Sequence, residues 1–355
     1  MGKGAFGKVN LAIHRLSGKF VALKSINKQF LNQEQSKRKV MQEFNILRRT
    51  RHCNIVRLYE SFETQQHIVF VMEVCGGGDL LTYVRRRRKL KEDTARFLFR
   101  QIISGLACCH EKRVLHRDIK LDNILLTSQG DVKICDFGVS QLVTPGQTMT
   151  EQCGTPAYIA PEVFRNEGYQ GFASDIWSAG VVLYAMLYGA VPFKASNMAE
   201  LHRQVIERQP SYKEEELSPE ALSLLKGILE KDPARRLNSD QILAHKWMRA
   251  KQQRSSTLKS GNAKSGPAQP QVFSEQEKEG IVAEFEYYNK RERDVIVDGE
   301  HQIVPTDPFA EQMLSSTQNG ELKNVSTRSI ILAPFNSTRS KLGGDTADHE
   351  ENMRI

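Results

Sequence analysis

The stretch "VLHRDIKLDNILL", residues 114–126, decides how the rest of the chain is read. Asp118 and Asn123 sit in a polar loop between two apolar runs, with His116, Arg117 and Lys120 around them. A carboxylate beside a cation suits a group that orients a hydroxyl or takes its proton. An Asn and an Asp offering oxygen suit Mg²⁺, a hard cation that shares its ligands with phosphates. Downstream, "VKICDFGVS" (132–140) places Asp136 after a strand-like run, followed by Phe137 and Gly138, which permits a hinge. Each piece alone reads equally well as a turn. Their order is hard to assign to chance.

Working toward the N-terminus, "GKGAFGKV" (2–9) gives Gly2, Gly4 and Gly7 in G-x-G-x-x-G-x-V spacing. Glycines allow a tight turn to bring backbone N–H groups onto phosphate oxygens. A dinucleotide-binding loop shares the spacing but opens a helix, whereas "KVNLAIHR" continues as a strand. "VALK" follows, ending at Lys24. A lysine in an apolar strand needs a partner for its charge. Glu43, inward-facing on a helical pattern over 33–49 with Val40, Phe44 and Leu47, is the candidate. A surface lysine and an unrelated glutamate stay open on these two residues alone.

Taken together, these motifs resemble the eukaryotic protein kinases over about residues 1–250, through the glycine loop, "VALK", "HRDIKLDN", "DFG", "GTPAYIAPE", "DIWSAGVVLY" and "DPARRL". Lys120 after Asp118, and Thr155 before Pro156, resemble the serine/threonine type; the hinge and "DPARRLNSDQILAHKW" resemble the calcium/calmodulin-dependent and AMP-activated branch. The resemblance implies an α+β bilobal fold: a small antiparallel β-rich N-lobe with one regulatory helix (1–72), a hinge (73–78) and a mainly helical C-lobe (79–250). It implies ATP and Mg²⁺ as cofactors. Gly2, Gly4 and Gly7 would cover the phosphates, and Lys24, held by Glu43, would contact them. Asn123 and Asp136 would bind Mg²⁺, Asp118 would orient the substrate hydroxyl, and Lys120 would steady the transferred group. Val9, Ala22 and Leu125 would enclose adenine, with Met72 before hinge residues Glu73 and Cys75, and with Asp79 beyond them. Leu47, Leu58, His116 and Phe137 would link the lobes, and Glu162 would pair with Arg236.

Asp79 and Asp122 stand where related kinases hold a substrate arginine, so a basic residue N-terminal to the target is expected, with acids that serve only the ATP ribose and surface solvation as the alternative. In "EQCGTPAYIAPE" (151–162) Glu151 takes the place of a regulatory phosphothreonine that would pair with Arg117. The expectation is that Glu151 partly replaces that phosphate; phosphorylated Thr150, one residue early, is the alternative. A binding-only scaffold is the competing functional class. It predicts loss of Lys24, Asp118, Asn123 or Asp136, all four of which are present, and its remaining support is a first strand that Met1 cuts short.

The net charge of +8 is spread along the chain, so neither nucleic acid nor membrane is expected as a partner. "RRRRK" (85–89) is the densest run. It reads as a solvated loop between helices, with a nuclear-localisation or phosphate patch as the alternative. Six cysteines without metal-like spacing, and no signal peptide, suggest a cytosolic or nuclear compartment. "IWSAGVVLYAMLYGAV" (176–191) is too short to span a membrane and reads as a buried helix. Gly2 is not expected to be myristoylated, because Phe6 stands where Ser or Thr is wanted. Residues 251–355 read as a largely disordered tail, with one short helix near 273–290. Its apolar island "STRSIILAPFNST" (326–338) is a candidate docking motif. Calmodulin binding near Trp247 is not expected, since the residues after it are too polar for an amphipathic helix.

Overall fold

A computed structural model describes residues 2–4, 7–165, 167–249 and 330–332. The first third is a sheet with one helix laid on it. Strands β1 (Gly2–Gly4), β2 (Gly7–His14) and β3 (Lys19–Asn27) are followed by helix α1 (Glu34–Arg49), then β4 (Leu58–Glu63) and β5 (His67–Met72). All pairings are antiparallel, in the order β1-β2-β3-β5-β4. Strand alternation sends Ala12 of β2, Val21 and Leu23 of β3, and Val69 and Val71 of β5 to one face of the sheet. Ile26 and Phe70 meet Val40 of α1 on the other.

After the hinge come β6 (Gly78–Asp79), α2 (Leu80–Arg87), α3 (Glu92–Glu111) and β7 (Val114–Leu115). The chain continues through β8 (Ile124–Leu126), β9 (Val132–Ile134) and β10 (Gln141–Leu142). Helices α4 (Pro161–Phe164), α5 (Gly171–Tyr188), α6 (Met198–Glu207), α7 (Pro219–Ile228), α8 (Ser239–Ala244) and α9 (Lys246–Arg249) complete the larger lobe. The apolar run read as a buried helix is α5, buried on nearly every side. A Cβ at Gly180 would collide with Ile228 and Leu229, so this glycine sets how closely α5 approaches α7. Among the described residues no helix is long and apolar enough to cross a membrane.

Two placements differ from the sequence reading. Arg85–Arg87 are not in a loop; they form the last turn of α2, where the helix dipole favours cations. Beyond residue 249 the described residues are Ile330–Leu332, from the apolar island, which form strand β11 antiparallel to β2. The expected disorder of the tail and its helix near 273–290 lie outside the described residues.

Candidate active site

Lys24 is fixed by strand register, opposite Val9 on β2 and Phe70 on β5. It is buried, and its Nζ donates to Glu43 Oε1 at 2.6 Å and lies 3.8 Å from Asp136 Oδ1. Burial works against its charge, but Glu43 and Asp136 outweigh it and raise the pKa above the ordinary lysine value. The site therefore holds a permanent cation with one carboxylate behind it and another beside it. Glu43 reaches Lys24 because α1 turns it inward with Val40, Ile46 and Leu47.

The loop around Asp118 is a closed network. Asp118 Oδ1 accepts from the Thr155 backbone N–H (3.0 Å) and hydroxyl (2.8 Å). Its Oδ2 accepts from Asn123 Nδ2 (2.9 Å) and pairs with Lys120 Nζ (3.0 Å). Lys120 Nζ also donates to Thr155 Oγ1 at 2.8 Å. Burial pushes the Asp118 carboxyl up, yet Lys120 and Thr155 more than offset it, so its pKa lies below the usual carboxylate range. Asn123 spends its amide N–H groups on Asp118 and keeps its carbonyl oxygen for another partner. Asp136, with a side chain 43% exposed, retains oxygen facing outward from the protein.

Two features of this loop were not read from the sequence. Arg117 and Asp136 both adopt left-handed backbone, at φ 64° and 62°, a conformation that L residues hold only when the surroundings impose it. Asp175, near the start of α5, helps impose it on Arg117. Its buried carboxylate accepts the backbone N–H groups of His116 (2.9 Å) and Arg117 (2.8 Å) and contacts His110 Nε2 at 3.0 Å. Burial raises its pKa, but these hydrogen bonds and the nearby histidines prevail and lower it. A carboxylate leading an apolar helix, as in "SDIWSAGVV", was the available signal, because a buried charge demands partners.

The register also gathers the residues expected around a nucleotide base. Ala22 lies opposite Met72, Leu11 opposite Ala22, and Asp79 opposite Leu125. Glu73 uses its side chain to tie the hinge down, through Lys133 Nζ (2.6 Å) and the Arg57 N–H (3.2 Å). Burial pushes the Cys75 thiol up to about 12 and the Cys135 thiol higher still, so neither is a thiolate. Asp79 departs from expectation. Its two oxygens accept from the Thr82 N–H (2.7 Å) and hydroxyl (3.0 Å), making it the N-cap of α2. Gly2 and Gly4 lie on β1, with Gly4 opposite Gly7 on β2; residues 5 and 6 lie outside the described residues. His116 and Phe137 rings stand 4.8 Å apart, and Phe137 and Leu47 join one core while Leu58 packs against it.

Arg117 reaches the loop that follows Asp136. Its Nε donates to Val139 O (2.6 Å) and its Nη1 to Glu151 Oε2 (2.8 Å). Glu151 is anchored by its backbone carbonyl, which accepts from the Tyr169 hydroxyl at 2.9 Å. Thr150 is exposed and follows Met149, which is buried and paired with Tyr169. Glu162 and Arg236 form the expected buried pair, at 2.5 and 2.9 Å.

With the site assembled, comparison with known proteins adds two findings. The family model for the protein kinase domain matches residues 1–248. The serine/threonine protein kinase OSK3 of Oryza sativa subsp. indica is 40% identical over 250 residues, covering 70% of this chain. The chain spans about half, 48%, of that relative's length.

Proposed function

Because the chain belongs to the protein kinase family, we propose that it transfers the γ-phosphoryl group of ATP to serine and threonine hydroxyls of proteins. The observation that carries this is a pair of intact clusters, Lys24 with Glu43 and Asp136, and Asp118 with Lys120, Asn123 and Thr155, tied together where the Cys135 N–H donates to the Asn123 backbone carbonyl. A binding-only scaffold would tolerate loss of Lys24, Asp118, Asn123 or Asp136, and all four are present.

The donor set suits Mg²⁺. Asp136 and Asn123 offer hard oxygen, and among the described residues no group of three or more His, Cys, Asp or Glu forms an all-protein cage. That fits an ion completed by phosphates and water, which would neutralise charge building on the phosphoryl group. Lys24 would bind the phosphates as a fixed cation. Asp118 would accept the hydrogen bond of the substrate hydroxyl and orient its oxygen. Held below the usual carboxylate range, Asp118 is a weak base, so it positions the hydroxyl early and takes the proton late. Lys120 sits beside it to steady negative charge.

Two finer readings follow. A preference for a basic residue N-terminal to the target rests on Asp122, exposed beside the catalytic loop, since Asp79 is committed to Thr82. The Arg117–Glu151 contact supports Glu151 as a partial substitute for an activating phosphate. For phosphorylated Thr150 to take that place, the Met149–Tyr169 pairing would have to slip.

Phosphate incorporation into basic peptides tests the proposal. Asp118→Asn or Asp136→Ala should lower turnover by about 10²-fold or more. Equal incorporation by all three proteins would sink it. A peptide pair differing only by Arg or Ala upstream of the acceptor tests the basic preference.

A further inference from the structure

The loop that carries Glu151 is held by a residue to which the reaction assigns no part. Tyr169, two residues before α5, is buried and meets this loop three times. Its backbone pairs with Met149 in both directions, at 3.0 and 2.9 Å, and its hydroxyl donates to the Glu151 backbone carbonyl at 2.9 Å. Gly168 permits so close an approach. It sits at φ 80°, and a Cβ there would meet the Thr148 side chain at 2.5 Å. Tyr169 also lines a small cavity of about 20 Å³ together with Arg117, Cys153 and Asp175. It borders Arg117 as well as the loop.

These contacts grip residues 149 and 151 and leave Thr150, which is exposed, between them. The Glu151 side chain is 59% exposed and reaches Arg117 through a single contact. A pair of that kind gains little in water, and ordering the long side chain costs rotamer freedom. It forms more readily where the backbone beneath it is already fixed, because less freedom remains to be lost. The Tyr169 hydroxyl does that fixing at the one loop residue whose carboxylate meets Arg117. A buried tyrosine hydroxyl finds some acceptor in most proteins. Here the acceptor is the loop itself. Burial pushes the Tyr169 phenol up to about 12, so it stays protonated and donating across the neutral range.

We propose that Tyr169 is a positioning residue for Glu151: its hydroxyl and backbone fix the register of residues 149–151, so that the Glu151 carboxylate and not the Thr150 side chain meets Arg117. A slip of one residue that brought Thr150 to Arg117 would break all three hydrogen bonds to Tyr169. The effect on activity rests on the reading of Glu151 as a partial substitute for an activating phosphate. The placement of the carboxylate does not depend on that reading.

Tyr169→Phe keeps the buried ring and the backbone pairing and removes only the hydroxyl. Two readouts on the unphosphorylated full chain test it, each as a cycle with Glu151→Ala. The first is the Arg117 Nε–H resonance in arginine-labelled protein. Glu151→Ala should displace it, Tyr169→Phe should move it less far in the same direction, and the double variant should match Glu151→Ala alone. The second is kcat/KM, which Tyr169→Phe should lower about threefold through loss of one hydrogen bond. That loss should vanish in the Glu151→Ala background, because the hydroxyl acts through Glu151. A hydroxyl that only supported the fold would lower both backgrounds equally. Gly168→Ala, which disturbs the same pairing without altering the ring, should displace the Arg117 resonance in the same direction. The proposal is overturned if neither Tyr169→Phe nor Gly168→Ala moves that resonance, or if Tyr169→Phe costs as much activity without Glu151 as with it. If Glu151→Ala leaves kcat/KM unchanged while the resonance cycle holds, the positioning stands and the reading of Glu151 as an activating group falls.

Discussion

The molecule contains two arginine–glutamate pairs that look alike in chemistry and differ in every physical respect. Arg236 and Glu162 are 0% and 7% exposed at their side chains, and they meet through two hydrogen bonds of 2.5 and 2.9 Å. Arg236 also donates to Ala173 O and Glu230 O and lies 5.1 Å from the Trp177 ring centroid. Arg117 is nearly as buried, but its partner Glu151 is 59% exposed and offers a single contact. A desolvated pair cannot be opened without stranding a charge. A pair with one face in water can exchange its anion for another at small cost. The first holds the fold, and the second is suited to regulation.

Removing one member of each pair breaks the comparison most directly. Glu162→Ala leaves the Arg236 guanidinium buried and uncompensated, so it should destabilise the protein by about 3–5 kcal/mol in urea unfolding. Glu151→Ala in the same assay should cost less than about 1 kcal/mol, because water replaces the lost carboxylate. Similar losses for the two variants would show that burial is not what separates the pairs.

Asp175 sharpens the contrast from the side of the catalytic loop. It is a buried carboxylate like Glu162, but what it holds is the backbone on which Arg117 turns. Asp175→Asn keeps the shape and loses the charge behind these hydrogen bonds, which should cost roughly 2–3 kcal/mol. The folded-state pKa is depressed, so this stability is fully present above the unfolded value of about 3.9 and is lost as pH falls through the folded value. The gap between parent and variant should therefore stay constant from neutral pH to about 4 and close only below it. A gap that closes between pH 7 and 5 would assign the effect to another group.

The same distinction explains what the sequence made legible. Lys24, Glu43, Asp118, Asn123 and Asp136 were readable because spacing and chemistry coincide in short motifs, and β3 and α1 carry simple periodicities that fix their faces. Glu162 with Arg236 was readable only by resemblance, since 74 residues separate them. The left-handed φ of Arg117 was not readable, because the buried Asp175 carboxylate holds its backbone N–H against local preference. Asp79 looked free to meet a ligand, but a helix starts immediately after it and takes both of its oxygens. The arginine run was misplaced because consecutive charges mask helical periodicity; its first three members extend α2 by one turn.

The smallest effect expected is also the most specific. In unphosphorylated protein, Glu151→Ala should lower kcat/KM by about 5- to 10-fold, which corresponds to roughly 1 kcal/mol and to the upper range of an exposed pair. Thr150→Ala should change it less than about twofold, since Thr150 is exposed and makes no contact with Arg117 among the described residues. Ionic strength separates this from a packing effect. The pair is half in water, so raising salt toward 1 M, where the screening length falls to about 3 Å, should erode the parent's advantage over Glu151→Ala. The stability gap of Glu162→Ala should hardly move over the same range. If Thr150→Ala proves the more damaging change in the unphosphorylated protein, Glu151 does not stand in for the phosphate.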